Sequence, residues 1–151
     1  PILCDLQALA SRSFYTVPKR TVGGMDSGRV ALLLAVMEKR AGKKLFDQDV
    51  YINVAGGLAL SDPAADLAVC VAVASSLMGF TLSPTLSVMG EVGLCGEVRP
   101  VAQAERRVAE CVRLGFTDIL LPRQNLKRLR PIDGVRMTGV DTLMQALAVV
   151  G

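Results

Sequence analysis

The sequence predicts an α+β domain in which mixed β-sheets pack against about four helices. Three observations carry that reading. Short β-rich segments, VYINVAG (50–56) and DILLP (118–122) among them, alternate with longer apolar segments of helical length. Glycine, proline and aspartate punctuate several of the junctions. The 151 residues, 51% hydrophobic and 21% charged, suffice for one core of ordinary size and are too apolar for disorder.

Taken in order, residues 2–10 (ILCDLQALA) alternate loosely and read as a first strand. TVPKRTVGGMDSG (16–28) reads as a loop with a basic step at Lys19 and Arg20. A helix is expected from Asp26 to about Ala41, capped by Asp26 or Ser27 and stopped by Gly42. Its centre, VALLLAVM, is apolar on every side, so the helix is expected to be largely buried. After the strand at 50–56, a second helix starts near Asp62-Pro63, where proline suits the first turn, and runs to Gly79. SVMGEVGLCGEVRPV (87–101) reads as a glycine-broken hairpin. Residues 103–114 form an amphipathic helix with Ala104, Val108, Cys111 and Val112 on one face and Gln103, Arg106, Glu110 and Arg113 on the other. DILLP and GVRMTGV read as strands, and DTLMQALAVV as a closing helix. The chain is expected to be one domain, 1–151, without repeats or linkers.

Composition excludes whole classes of chemistry. There is no histidine, so His-based triads and His metal sites are impossible. Cys4, Cys70, Cys95 and Cys111 include no closely spaced pair of the kind zinc requires, so no metal site is expected. Buried free thiols in a reducing cytoplasm are the reading they support. Apolar runs such as Val30–Met37 fall far short of the roughly 20 residues of a membrane span. No secretory signal is visible, and the start at Pro1 suggests a piece of a longer protein.

GGMDSGRV (23–30) has the glycine spacing of a phosphate loop. It carries Arg29 where lysine is needed and Val30 where a magnesium-binding hydroxyl is needed, so it is read as a turn before a helix. Arg29 is still out of place, because a cation in a first helical turn opposes the macrodipole. A phosphate or a partner carboxylate would explain it. Arg40 lies three turns further along roughly the same stripe. A Ser–Lys dyad needs a lysine in a low-dielectric pocket, yet Lys19, Lys39, Lys43, Lys44 and Lys127 all fall in loops or charged segments. Further basic residues recur at Arg99, Arg106, Arg107 and Arg113, and at Arg123, Lys127, Arg128 and Arg130. With no tryptophan and few other aromatics, base stacking is poorly supplied, and any nucleic-acid contact should be to phosphate.

PILCDLQALA, PKRT, GMDSGRVALLLAVMEKRAG, DQDVYINVAGGL, DPAADLAVCVAVASSL, GEVGLCGEVRPV, ERRVAECVRLGF and LPRQN, in that order and spacing from Pro1 to about Asn125, resemble the RadA/Sms family. The resemblance implies a Lon-type proteolytic fold, of the ribosomal protein S5 domain 2-like kind. It also implies a zinc finger and a RecA-like ATPase domain outside this chain, where ATP, Mg and Zn would belong. Active Lon enzymes carry a serine nucleophile in a D-G-P-S-A-G segment and a lysine base beyond a glycine-led hairpin. Laid on this chain without gaps, those positions fall on Ala64 and Glu105, so the resemblance implies a domain with no catalytic residues.

By the same resemblance the domain belongs to a cytoplasmic, hexameric DNA repair and recombination helicase that acts in branch migration and meets a recombinase. The expected phosphate ligands are Lys19, Arg20, Arg29 and Arg40, then Lys39 and Arg99. Arg106 and Arg107 are weaker candidates, Arg107 because it could bridge to Glu110 or Asp66. Two alternatives stand beside this. One is a pure oligomerisation scaffold whose arginines pair with Asp47, Asp49 or Glu91 across subunits. The other is a hydrolase using an unrecognised serine.

Overall fold

The computed structural model describes residues 3–55 and 59–151. The mixed α+β architecture is as expected. Strands β1 (Leu6–Arg12), β2 (Arg20–Gly23) and β3 (Gln48–Val54) form one sheet in the order β1-β3-β2. β1 runs antiparallel to β3, whereas β2 runs parallel to it, because helix α1 (Ser27–Ala41) carries the chain back between them. A second sheet is wholly parallel, in the order β4 (Leu86–Val88), β7 (Asp118–Pro122), β8 (Arg136–Val140). β5 (Glu91–Val92) and β6 (Val98–Arg99) make a small antiparallel hairpin. Helices α2 (Asp66–Met78), α3 (Ala104–Arg113), α4 (Arg123–Leu126) and α5 (Leu143–Val150) complete the set, with a short 3-10 turn at Pro63–Ala65 leading into α2.

The helix ends are where local chemistry puts them. Asp26 caps α1 by accepting the Arg29 backbone N–H at 2.9 Å, and Gly42 ends the helix at φ 67°. α2 is the central element: Leu67, Val69, Cys70, Val71, Val73 and Ala74 are all buried, between the first sheet, α1 and α5. α1 is largely buried, as expected, through Val30, Leu33, Leu34, Val36 and Met37; Ala31, Ala35 and Glu38 form an exposed stripe, since alanine is small enough to face water at little cost. β7 explains its unbroken apolar run. Leu120 faces the main core while Ile119 and Leu121 face a second cluster with Met89, Val108 and Cys111 under α3.

Three sequence expectations are corrected. The segment read as a loop before α1 contains β2, whose four residues are too few to show alternation and run into a glycine pair, a turn signal. The hairpin is smaller than expected: Ser87 and Val88 belong to β4, which pairs with β7 thirty residues on, and only Glu91–Arg99 closes locally. α4, a single turn, was not foreseen. The expected starts and ends at Ile2 and Gly56 lie outside the described residues.

Candidate functional site

A pocket of about 100 Å³ opens between the start of α2 and the face of α3, lined by Ala64, Ala65, Ala68, Met89 and Cys111. Ala64 is buried within it, placed there by the Asp62-capped 3-10 turn, in which the Asp62 carboxylate accepts the Ala64 N–H at 3.0 Å. Ala64 is the position expected for the Lon nucleophile. Glu105, expected at the lysine position, is exposed at the start of α3 and does not line the pocket. Among the described residues no lysine lines it either. Ser87, which sequence reasoning passed over, is buried there with its hydroxyl 3.1 Å from the Cys111 thiol. The nearby Glu110 carboxylate is engaged by Arg113, whose hydrogen bond holds it below the ordinary glutamate range. Ser87 therefore has a thiol for a neighbour and no amine base.

The rim carries an ion pair. Arg107 bonds Asp62 at 2.9 Å and donates its Nε–H to the Ala102 carbonyl at 2.7 Å. Burial raises the Asp62 carboxyl, but the Ala64 N–H and the Arg107 guanidinium outweigh it, so the carboxyl is held below its ordinary value. Arg107 thus meets neither Glu110 nor Asp66 but ties α3 to the turn that holds Ala64.

The odd position of Arg29 also has an internal explanation. Its Nε–H donates to Asp66 Oδ1 at 3.0 Å, Nη2 donates to Asp66 Oδ2 and, more weakly, to the Val92 carbonyl. Asp66 is 1% exposed, and its Oδ2 also accepts the Val92 N–H at 3.0 Å. The carboxylate that Arg29 called for is thirty-seven residues away in the same chain. At the start of α1 the Asp26 carboxylate occupies the helix N-terminus, where a phosphate loop would place its ligand.

The remaining candidate cations separate into two groups. Arg99 pairs weakly with Glu97 at 3.4 Å, both side chains being exposed. Lys19, Arg20, Lys39, Arg40 and Arg106 are exposed, and none lies within salt-bridge distance of a carboxylate among the described residues. The first four gather with Arg12, Lys43 and Lys44 at one end of the molecule, where α1 ends and β3 begins. Arg20 reaches the carbonyls of Leu45 and Gln48, Arg12 is opposite Gln48 in the strand register, and Arg40 leans on the Leu94 carbonyl. Helix-dipole attraction accounts for Lys39 and Arg40 in the last turn of α1 and for none of the others. Asp49, a candidate cross-subunit partner, is buried and accepts the Lys19 N–H at 2.7 Å. Sequence reasoning missed Arg12, Lys43 and Lys44 as members of this group because only the β1–β3 pairing brings Arg12 to it. Among the described residues no group of three His, Cys, Asp or Glu could hold a metal, and no helix is long and apolar enough to cross a membrane. Cys70 and Cys111 are buried and Cys4 half-buried, whereas Cys95 is exposed, and all four are free.

An Ala-bearing turn entering a central helix and an amphipathic helix face each other across the pocket, and the glycine-led hairpin lies between them in the chain. Residues 29–147 match the family described as the Lon protease (S16) C-terminal proteolytic domain, and the chain belongs to that family. It is 43% identical over 149 residues to the DNA repair protein RadA of Halalkalibacterium halodurans, 44% over 147 to that of Bacillus subtilis and 42% over 147 to that of Streptococcus pneumoniae. Those alignments cover 99%, 97% and 97% of this chain and 33%, 32% and 35% of the relatives. The chain thus spans about a third of the length of the curated relatives it matches.

Proposed function

We propose that this chain is the Lon-type domain of a RadA-type DNA repair protein, and that it assembles a hexameric ring and contacts DNA instead of cutting peptides. The pocket carries the reading. At the nucleophile position Ala64 has no nucleophilic atom, no lysine lines the cavity, and the carboxylate of Glu105 is exposed outside it. Arg107 and Asp62 hold the old catalytic turn as a structural joint. The unpaired cations Lys19, Arg20, Lys39 and Arg40 support contact with phosphate, which is sequence-independent. Arg106 is a second, separate candidate. Arg29 and Arg107 belong to the architecture.

On this reading the fold is of the ribosomal protein S5 domain 2-like kind, and the protein works in the cytoplasm in branch migration beside a recombinase. Nucleotide, magnesium and zinc belong to parts of the protein beyond this chain. Fluorescence anisotropy with two labelled DNAs of unrelated sequence tests the central part. Lys39→Ala/Arg40→Ala should weaken binding to both DNAs equally, whereas Arg113→Ala/Arg136→Ala, which removes two ion-paired arginines elsewhere, should leave it unchanged. Equal weakening by both double variants would reduce the effect to net charge. Turnover of casein abolished by Ser87→Ala would instead revive a hydrolase.

A further inference from the structure

The chain has two tyrosines, four phenylalanines and no tryptophan. Phe80 and Phe116 pack against the cores. The other four rings face water: Phe14 is 96% exposed, Phe46 67%, Tyr15 58% and Tyr51 38%. Such rings are costly to leave in water, and contiguous apolar exposure marks a binding surface.

The fold brings them to the same sheet. Ser13 donates its N–H to the Asp47 carbonyl at 2.7 Å, which brings the backbone at Phe14 close to that at Phe46. Tyr15 lies in the same turn, with the Lys19 ammonium 4.3 Å from its ring centroid. Val50 donates its N–H to the Lys19 carbonyl, so this turn borders β3, and Tyr51 follows on the solvent face, across from Leu9 and Thr21. Lys19 and Lys44, both exposed, border these rings, whereas Arg12 and Arg20 stand in register with Gln48 and Val50, on the strand face opposite Tyr51. Of the nearby acids, Asp49 is buried on the Lys19 N–H, Glu38 accepts the Leu45 N–H, and half-buried Asp47, next to Phe46, accepts from Gln48 Nε2 at 3.4 Å.

We propose that this end of the first sheet is a stacking platform for single-stranded DNA, with Phe14, Tyr15, Phe46 and Tyr51 receiving unpaired bases while Lys19 and Lys44 hold the phosphates. The inference rests on the DNA-contact reading and narrows it, since flat rings beside cations suit unpaired bases, whose faces a duplex hides. It also reverses the expectation that stacking is poorly supplied: the aromatics are few, but two thirds of them are here. A second copy docked isologously on this face would set its cations against their own kind, and the heterologous contact of a ring is told apart from DNA by the sedimentation arm of the test.

The chain supplies its own probe. Tyr15 and Tyr51 are its only tyrosines, so all intrinsic tyrosine emission comes from this face. Titration with a thymidine 20-mer should quench that emission, after absorbance correction with free N-acetyltyrosinamide. Heparin, a polyanion without bases, should not quench it, and duplex DNA should quench it far less. Phe14→Ala and Phe46→Ala should each weaken binding to the 20-mer about tenfold and leave duplex affinity unchanged. Binding of the 20-mer with unaltered emission and wild-type affinity in both variants would overturn the platform and leave phosphate contact standing. Equal quenching by heparin would overturn it likewise. Variants that change the sedimentation coefficient and not DNA affinity would make the face a subunit interface. Failure to bind any DNA at low salt would remove both the platform and the DNA-contact reading.

Discussion

A buried carboxylate has to be partnered where it stands, and Asp66 is. It accepts two hydrogen bonds from Arg29 and one from the Val92 N–H, which joins α1, the start of α2 and the β5–β6 hairpin through one side chain. Removing the cation leaves the charge in place without its partner. Arg29→Ala should therefore cost about 2 kcal/mol of stability, less than breaking a fully buried pair because the Arg29 side chain is 35% exposed. Urea denaturation would measure it, and Asp66→Asn in the same background should recover part of the loss. An Arg29→Ala variant as stable as wild type would mean the guanidinium is not what holds Asp66. Any weakening of DNA binding in that variant has to be read against its stability first. The same reasoning separates Arg29 from Arg40: the two share a helical stripe, but Arg40 meets only the Leu94 carbonyl, and its Cβ sits so close to Gly96, itself at φ 79°, that a side chain there would meet it at 2.9 Å. Gly96 is needed twice over, for its left-handed backbone and for the close approach of α1.

At the scale of elements, the Asp62–Arg107 pair staples the 3-10 turn to α3 across the pocket. The Asp62 carboxyl is held below its ordinary value in the folded state, so its contribution to stability is complete above the unfolded carboxylate range, about pH 4. That contribution is lost as pH falls through the lower folded value. The difference in Tm between wild type and Asp62→Asn should thus be constant from pH 7 to 5 and shrink below pH 4. A difference that persists unchanged at pH 3 would assign the effect of the substitution to the Ala64 cap geometry and not to charge. Element boundaries were legible where their signals are local. Asp26, Gly42 and Gly79 end helices by capping chemistry carried in adjacent residues, and α3 shows its amphipathic face directly. The partners of β2 and β4 were not legible, since parallel pairing joins segments some thirty residues apart. Nor was the partner of Arg29, although the mismatch of its charge with the helix dipole did signal that one was needed.

Across the whole molecule, two features of this Lon-family domain stand out: the pocket that holds Ala64, and an end where exposed cations have no carboxylate partner among the described residues. Of the two positions the sequence singled out for the first, Ala64 lines it and Glu105 stands outside it. Sequence reasoning found four members of the second but could not tell them from the paired arginines, because exposure and pairing are properties of the fold. Seven cations gathered at one end attract polyanions in general, and their use for DNA has a thermodynamic signature: each phosphate contact on a single strand releases counterions and adds about 0.7 to the slope of log K against log salt. The decisive measurement is that slope for wild type and for Lys19→Ala/Lys39→Ala/Arg40→Ala, each bound to labelled single-stranded DNA over a salt series. A slope shallower by about two in the triple variant is expected from three lost contacts. An unchanged slope with unchanged affinity would contradict the assignment of DNA contact to this end of the domain.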